Sequence, residues 1–553
     1  MGRGLDSVPL VVTGFNLADV WEAVARAQPD APAIVQGERR FTWSDFERRA
    51  NGVAARLLTC PGAKHQAKVA QYLTNAPEYL ETVFAAFKTG FVPVNTNYRY
   101  TDDELVYLWD NADAVAVVFH AAFTSTIERI RDRVPGVGLW LCVDDGSGPC
   151  PTWAESYESA AGTGSDQTVI ATWGRDGDDL LMLYTGGTTG SPKGTMWRQD
   201  DLFVKLNDAS MQPYDLDRGV DSIEEQRLAR GIGPSALPAC PLMHGTGLLI
   251  TIGLLSGGGS CVLLPSRQFD AVELFDTIDR EKVNGVIIVG DTFARPMVAA
   301  LDANEGRWDL SSLLLVYSSG VMWSEPVKQG LLQHRPHLIL ADLLGSSEAL
   351  GMAKSVSGGK RSAATATFEL SPDAVVLTDD NRIVEAGSAE IGRVALSGRV
   401  PVGYYKDPEK SARTFPVVDG VHYSVPGDYA TVEADGSIKL LGRGSVVINT
   451  GGEKVFPEEV EEAMKTFPGV RDAIAVGVPD DRFGEAVAGV VEAEPGTTID
   501  AAELREHVKQ RLASFKAPRH VVVVDTIGRA PNGKADYRRM KELATERVAT
   551  STR

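Results

Sequence analysis

Thr185-Gly186-Gly187-Thr188-Thr189-Gly190-Ser191-Pro192-Lys193-Gly194 follows directly on the apolar run Leu180–Tyr184, and the reading of this junction decides the fold. Four glycines let the backbone approach an anion closely, three threonines and a serine add hydroxyl donors, and Lys193 adds positive charge. A strand followed by such a loop is a phosphate cradle. It is not a P-loop, which needs Gly-Lys-Ser/Thr, because here Pro192 precedes Lys193 and Gly194 follows it. A Gly-rich surface turn is the bland alternative, and ten residues of this composition straight after a buried strand weigh against it.

Upstream of the loop, helices and strands alternate. Leu80, Val83, Phe84 and Phe87 form an amphipathic helical stripe that Gly90 is placed to stop, and Phe91–Val94 reads as a strand. Leu105 and Leu108 mark another helix before the apolar run Val115–Phe119. This alternation predicts α/β layers with a largely parallel sheet. Asp144–Gln167, rich in Gly, Ser, Pro and acidic groups, reads as a surface connection.

Downstream, Gly231–Ser266 contains no Asp, Glu, Lys or Arg, and Leu248–Leu264 is strongly apolar. Gly257-Gly258-Gly259-Ser260 splits that run below the ~20 residues of a membrane span, so buried core around a ligand pocket is expected. The last ~110 residues read as a smaller α+β unit. Its helices are marked by Val460, Met464 and Phe467 and by Leu504, Val508 and Leu512, its strands by Ala473–Val478, Ala486–Val491 and His520–Val524. Residues 501–553 hold 12 Lys+Arg against 6 Asp+Glu, which serves either a solvated basic face or a phosphate-facing one.

The 553 residues carry a net charge of −19, which argues against a nucleic-acid partner while leaving room for a local basic pocket. Five cysteines without CxxC spacing, and an N-terminus without a signal-peptide core, fit a cytoplasmic protein.

Read whole, the Thr185–Gly194 loop resembles the signature loop of the adenylate-forming superfamily of acyl-CoA synthetases, adenylation domains and beetle luciferases. Further segments match that family's motifs in order: Pro241-Leu242-Met243-His244-Gly245, Gly345-Ser346-Ser347-Glu348, Gly427-Asp428, Gly442-Arg443 running on to Gly451-Gly452-Glu453-Lys454, and Pro531-Asn532-Gly533-Lys534. The wording around them, including Met196-Trp197-Arg198 and Val425–Tyr429, resembles actinobacterial ligases for fatty acids and steroid side-chain acids.

The resemblance implies a large N-terminal adenylation domain (1–441), a hinge (442–446) and a small mobile C-terminal domain (447–553). It implies a two-step ligase: a hydrophobic carboxylic acid attacks the α-phosphorus of ATP to give acyl-AMP and pyrophosphate, then coenzyme A displaces AMP. Thr185, Gly186, Gly187, Thr188, Thr189, Gly190 and Lys193 would hold the phosphates, and Glu348 with Thr185 would hold Mg²⁺. Asp428 and Arg443 would take the ribose. Ser319, Gly320, Gly345, Ser346 and Ser347 would border the nucleotide, with Ser318 leaving room beside them. His244 would wall the acyl-carboxylate site, and Lys534 would be the catalytic lysine. Lys454 would assist the second half-reaction, or else mark a structural Gly-Gly turn. Gly231–Ser266 and Val286–Gly290 would line the acyl pocket. Two positions depart from the family pattern: Leu344 stands where a stacking Tyr is common, and Ser445 where the hinge usually has Asp or Lys. An acyl-AMP ligase serving a carrier protein, a luciferase-like oxygenase and a silent nucleotide binder remain open, as does homo-oligomerisation.

Overall fold

The computed structural model describes residues 14–185, 191–359, 362–450, 453–480, 483–530 and 533–551. The expected roles of Gly186, Gly187, Thr188, Thr189 and Gly190, and of Gly451, Gly452, Pro531 and Asn532, fall outside the described residues.

Among the described residues the strands form three sheets, of 15, 8 and 5 strands. The helix Pro77–Thr89 ends as its sequence requires, with Gly90 at φ 64° as a left-handed cap. The strand Val92–Asn95 follows it into the 8-stranded sheet, whose core order is Lys193–Arg198, Leu180–Thr185, Val92–Asn95, Lys68–Tyr72, Ala114–His120 and Leu139–Val143. Leu180–Thr185 and Lys193–Arg198 pair antiparallel, with Thr185 opposite Lys193, so both ends of the Gly-rich loop are clamped together.

The larger sheet contains a parallel block: Ser260–Leu263, Ser235–Pro238, Gly285–Ile288, Leu315–Ser319 and Ile339–Ser346. Ligands of open α/β sheets collect at the carboxyl ends of such strands. Those ends carry Ser319, Gly320 and Gly345–Glu348 to one place. The charge-free stretch divides at Gly257–Gly259 into the helix Gly245–Ser256 and the strand Ser260–Leu263. Leu248, Leu249, Ile252 and Leu255 of that helix enter one core with Trp21, Phe84 and Trp197. No helix among the described residues is long and apolar enough to cross a membrane.

In the C-terminal unit the helices Pro457–Lys465 and Ala501–Lys509 pack with the strands Val470–Asp480, Gly484–Ala493 and His520–Val524. Both helices stop short of their apolar stripes: Phe467 and Leu512 sit just beyond the ends, still packed against the core. The connection Asp144–Gln167 is more structured than its composition implies. It contains the strand Glu155–Ser156 and the helix Tyr157–Ala161, anchored by a fully buried Tyr157. One burying aromatic overrides a polar average.

Candidate active site

A cavity of about 3170 Å³ opens where the two large sheets and the C-terminal unit meet. Thr185, Lys193, His244, Ser319, Gly320, Gly345, Ser346, Ser347, Glu348, Asp428, Arg443 and Lys534 all line it. Lys454 does not. It lies on the hairpin strand Glu453–Val455, is 54% exposed, and sits 3.9 Å from Asp379. Its ammonium lies 5.9 Å from the ring centroid of Tyr429, which does line the cavity.

Asp428 opens the strand Asp428–Val432, and Arg443 closes the antiparallel strand Ile438–Arg443. The two are direct partners in the ladder and so share a face. Arg443 Nε donates to Asp428 Oδ1 at 3.2 Å, and the Asp428 carboxylate holds the guanidinium pKa above its usual value. Asp428 Oδ2 is buried without a hydrogen-bond partner. A buried acceptor of this kind calls for a donor from a ligand, and a vicinal diol supplies one.

Glu348 lies in the tight turn between the strands Ile339–Ser346 and Ala349–Gly358. Its backbone N–H donates to Ser346 Oγ at 3.2 Å, and its carbonyl accepts from Ser424 Oγ at 2.6 Å. Its Oε1 accepts the Tyr404 hydroxyl at 2.9 Å, leaving carboxylate capacity toward the cavity. No cluster of three or more His, Cys, Asp or Glu suited to a metal occurs among the described residues. One carboxylate in a phosphate cradle fits Mg²⁺, which keeps waters and takes substrate oxygens rather than an all-protein cage.

His244 precedes the helix Gly245–Ser256, and its loop is pinned by two side-chain amides, half-buried Asn75 and buried Asn95. Asn75 Oδ1 accepts from Leu242 N at 2.7 Å while its Nδ2 donates to Pro238 and Cys240 carbonyls. Asn95 Nδ2 donates to the carbonyls of Tyr184 and Met243, tying the His244 loop to the strand that feeds the Gly-rich loop. Withdrawal from solvent, reinforced by Lys534, pushes His244 down to about 3, so it faces the cavity as a neutral imidazole.

Lys534 comes from the other end of the chain. Ala530 and Gly533 form a turn, with Gly533 N donating to the Ala530 carbonyl at 2.8 Å and Ala530 N to the Lys534 carbonyl at 2.9 Å. Arg529 braces the turn through Gly533 O at 3.1 Å and through Asp472 at 2.6 and 2.9 Å. Gly533 has φ 72°, and a Cβ there would stand 2.6 Å from Thr292 Oγ1. The turn is thus seated against the N-terminal unit. Withdrawal from solvent and then Arg443 lower the Lys534 pKa, while Glu348 and Asp428 pull it back up.

Two expectations about the lining change. Val286, Ile287 and Ile288 are wholly buried core, and only Gly285 and Val289 around them border the cavity. A central parallel strand is covered on both faces, which leaves its middle no route to a pocket. Ser318 is likewise buried, its Oγ accepting from Gly290 N at 2.9 Å. The charge-free stretch does line an apolar limb, through Leu249, Ile250, Gly253 and Leu254.

Sequence reasoning missed Tyr404, Lys410 and Asp342, all of which line the cavity. Asp342 forms a buried pair with Lys328 at 3.1 Å, and burial nevertheless pushes its pKa up to about 6. No local pattern marks these residues; their meaning comes from the ladder and helix contacts that bring them alongside Glu348 and Leu344. Leu344 is buried in the core beside the cavity rather than projecting a ring across it.

The AMP-binding enzyme family model matches residues 21–405, and the AMP-binding enzyme C-terminal domain model matches 459–534. The medium/long-chain-fatty-acid and 3-oxocholest-4-en-26-oate CoA ligase of Mycobacterium tuberculosis is 39% identical over 546 residues, covering 98% of both chains. The 3-oxocholest-4-en-26-oate CoA ligase of Rhodococcus rhodochrous is 38% identical, covering 97% of both. Among solved structures, the anthranilate CoA ligase AuaEII with anthranoyl-AMP superposes with a TM-score of 0.80 at 21% identity, covering 99% of this chain and 100% of that one. ATP-bound MatB from Rhodopseudomonas palustris gives 0.78 at 24% identity, covering 95% and 99%. These last two show a shared fold.

Proposed function

Since this chain belongs to the AMP-binding enzyme family, we propose that it is an ATP-dependent acid–CoA ligase acting on a bulky hydrophobic carboxylic acid, a fatty acid or a steroid side-chain acid. The observation that carries the reading is the meeting of Glu348, Asp428, Arg443, His244 and Lys534 around one cavity with an apolar limb.

In the first step a carboxylate oxygen bonds to the α-phosphorus of ATP, the bond from that phosphorus to the bridging oxygen breaks, and pyrophosphate departs with the electron pair. One anion meets another, so fixed cations and in-line positioning supply most of the catalysis. Asp428 Oδ2 accepts from the ribose hydroxyls, held in place by Arg443. Lys534 offers its ammonium to the α-phosphate and the substrate carboxylate. Neutral His244 walls the carboxylate without adding a charge. Thr185 and Lys193 flank the phosphates, and Thr185 with Glu348 would hold Mg²⁺, which shields phosphate charge when bound. In the second step the thiol of coenzyme A attacks the acyl carbon and AMP leaves.

The same two steps account for a small C-terminal unit. Lys534 occupies the cavity for adenylation, and thioester formation needs that space cleared. Rotation of 447–553 about 442–446 serves both. Five free cysteines, four of them buried, suit a reducing cytoplasm.

A panel of short to long fatty acids, aromatic acids and steroid acids tests the function. AMP and acyl-CoA should form together with a long-chain or steroid acid, dependent on ATP and coenzyme A. Acyl-AMP that passes only to a carrier protein, light with oxygen uptake, or no pyrophosphate from any acid would each replace the reading.

A further inference from the structure

Lys193, the cation of the Gly-rich loop, is already engaged: its ammonium forms an ion pair with Asp407. Asp407 caps the short helix Pro408–Thr414, its Oδ1 accepting from Lys410 N at 3.0 Å. The segment leading into that helix is fixed to the phosphate cradle. Tyr404 pairs with Thr195 on the strand that leaves the Gly-rich loop, and its hydroxyl donates to Glu348. Lys410 therefore stands on a platform anchored to the strand that leaves the Gly-rich loop and to Glu348.

The Lys410 ammonium lies 5.1 Å from the Tyr404 ring centroid, and the residue lines the cavity. Among the described residues no carboxylate comes within ion-pair distance of it. Partial burial and then Lys193 push its pKa down, opposed by Glu348 and Asp407. A lysine in the first turn also sits at the wrong end of its helix dipole. Burial, like charge and dipole all act against a cation here, and a polyphosphate would relieve all three.

We infer that Lys410 is a catalytic group of the adenylation step, contacting the β- and γ-phosphates of ATP and the charge that gathers on departing pyrophosphate. This rests on the ligase reading above. Lys534 serves the end where the carboxylate–phosphorus bond forms; Lys410 serves the end where the bond to the bridging oxygen breaks. No proton changes hands, since the carboxylate enters ionised and pyrophosphate leaves with the bonding pair.

Calorimetric binding of MgATP, magnesium pyrophosphate and AMP tests the assignment without any acid. Lys410→Ala should weaken ATP and pyrophosphate about 10-fold and leave AMP within about two-fold, as expected for one lost charge-assisted contact. Lys410→Arg should recover much of the loss. Lys406→Ala, which removes an exposed cation paired with Asp113, should change none of the three. With a turned-over acid, Lys410→Ala should raise the pyrophosphate inhibition constant about 10-fold yet spare thioester formation from supplied acyl-AMP. Equal weakening of AMP and pyrophosphate, or no weakening of either, would overturn the role while leaving the ligase reading intact. Failure of the native chain to bind ATP or pyrophosphate would overturn both.

Discussion

Lys534 reaches the cavity on a turn held by backbone hydrogen bonds from Gly533 N to the Ala530 carbonyl and from Ala530 N to the Lys534 carbonyl, and braced by Arg529. Its ammonium can therefore be removed without disturbing the packing that seats it. Lys534→Ala should slow acyl-AMP formation about 10²- to 10³-fold, the scale of one lost donor to a developing charge. Thioester formation from supplied acyl-AMP should persist. An equal fall in both half-reactions would show that Lys534 acts by holding the fold rather than by charge. That Lys534, Glu348, Asp428 and Arg443 belong to one site is legible in the sequence, because each sits in a short motif whose order along the chain is distinctive, and all four line the cavity. That Tyr404 and Lys410 join them is not. They touch the site through pairing of Gly403–Tyr404 with Lys193–Arg198, a contact some two hundred residues apart that no local period encodes.

At the scale of elements, the junction between units is built on one glycine. Gly442 has φ 129°, and a Cβ there would lie 2.0 Å from the Glu458 carboxylate of the helix Pro457–Lys465. Arg443 N donates to Glu458 Oε1 at 3.2 Å, and Glu458 Oε2 is buried without a partner. Burial, with the neighbouring Glu461, pushes the Glu458 carboxyl up to about 8, so it rests there without full charge. Gly442→Ala puts a side chain at a φ that L residues rarely adopt and pushes the Glu458 carboxylate off the Arg443 backbone, which loosens the seam between the helix and the last strand of the N-terminal unit. Adenylation should fall about 10-fold or more while thioester formation from supplied acyl-AMP changes less, since a local clash of this kind costs a few kcal/mol in one arrangement only. Unchanged partition between the two half-reactions would mean that the junction does not govern them. Sequence periodicity found the helices and strands of this unit but not their ends. Phe467 and Leu512 keep the apolar spacing after the backbone has left the helix, because burial rather than helical geometry is what their stripe satisfies.

Over the whole molecule, a net charge of −19 surrounds a cavity proposed to take two strongly anionic ligands. The structure reconciles the two by concentrating cations where the sheets and the C-terminal unit meet: Lys193, Lys410, Arg443 and Lys534 all face one space. Layered α/β architecture followed from the alternation of helical and strand periods. The convergence of residues from 185 to 534 did not, because it depends on how sheets of 15 and 8 strands lie against each other. The central claim is that a substrate carboxylate attacks the α-phosphorus of ATP, and oxygen-18 in that carboxylate reports on it directly. Turnover of a doubly labelled fatty or steroid acid with ATP and coenzyme A should yield AMP carrying one oxygen-18 and a thioester retaining the other. Unlabelled AMP, or ADP in its place, would contradict the account.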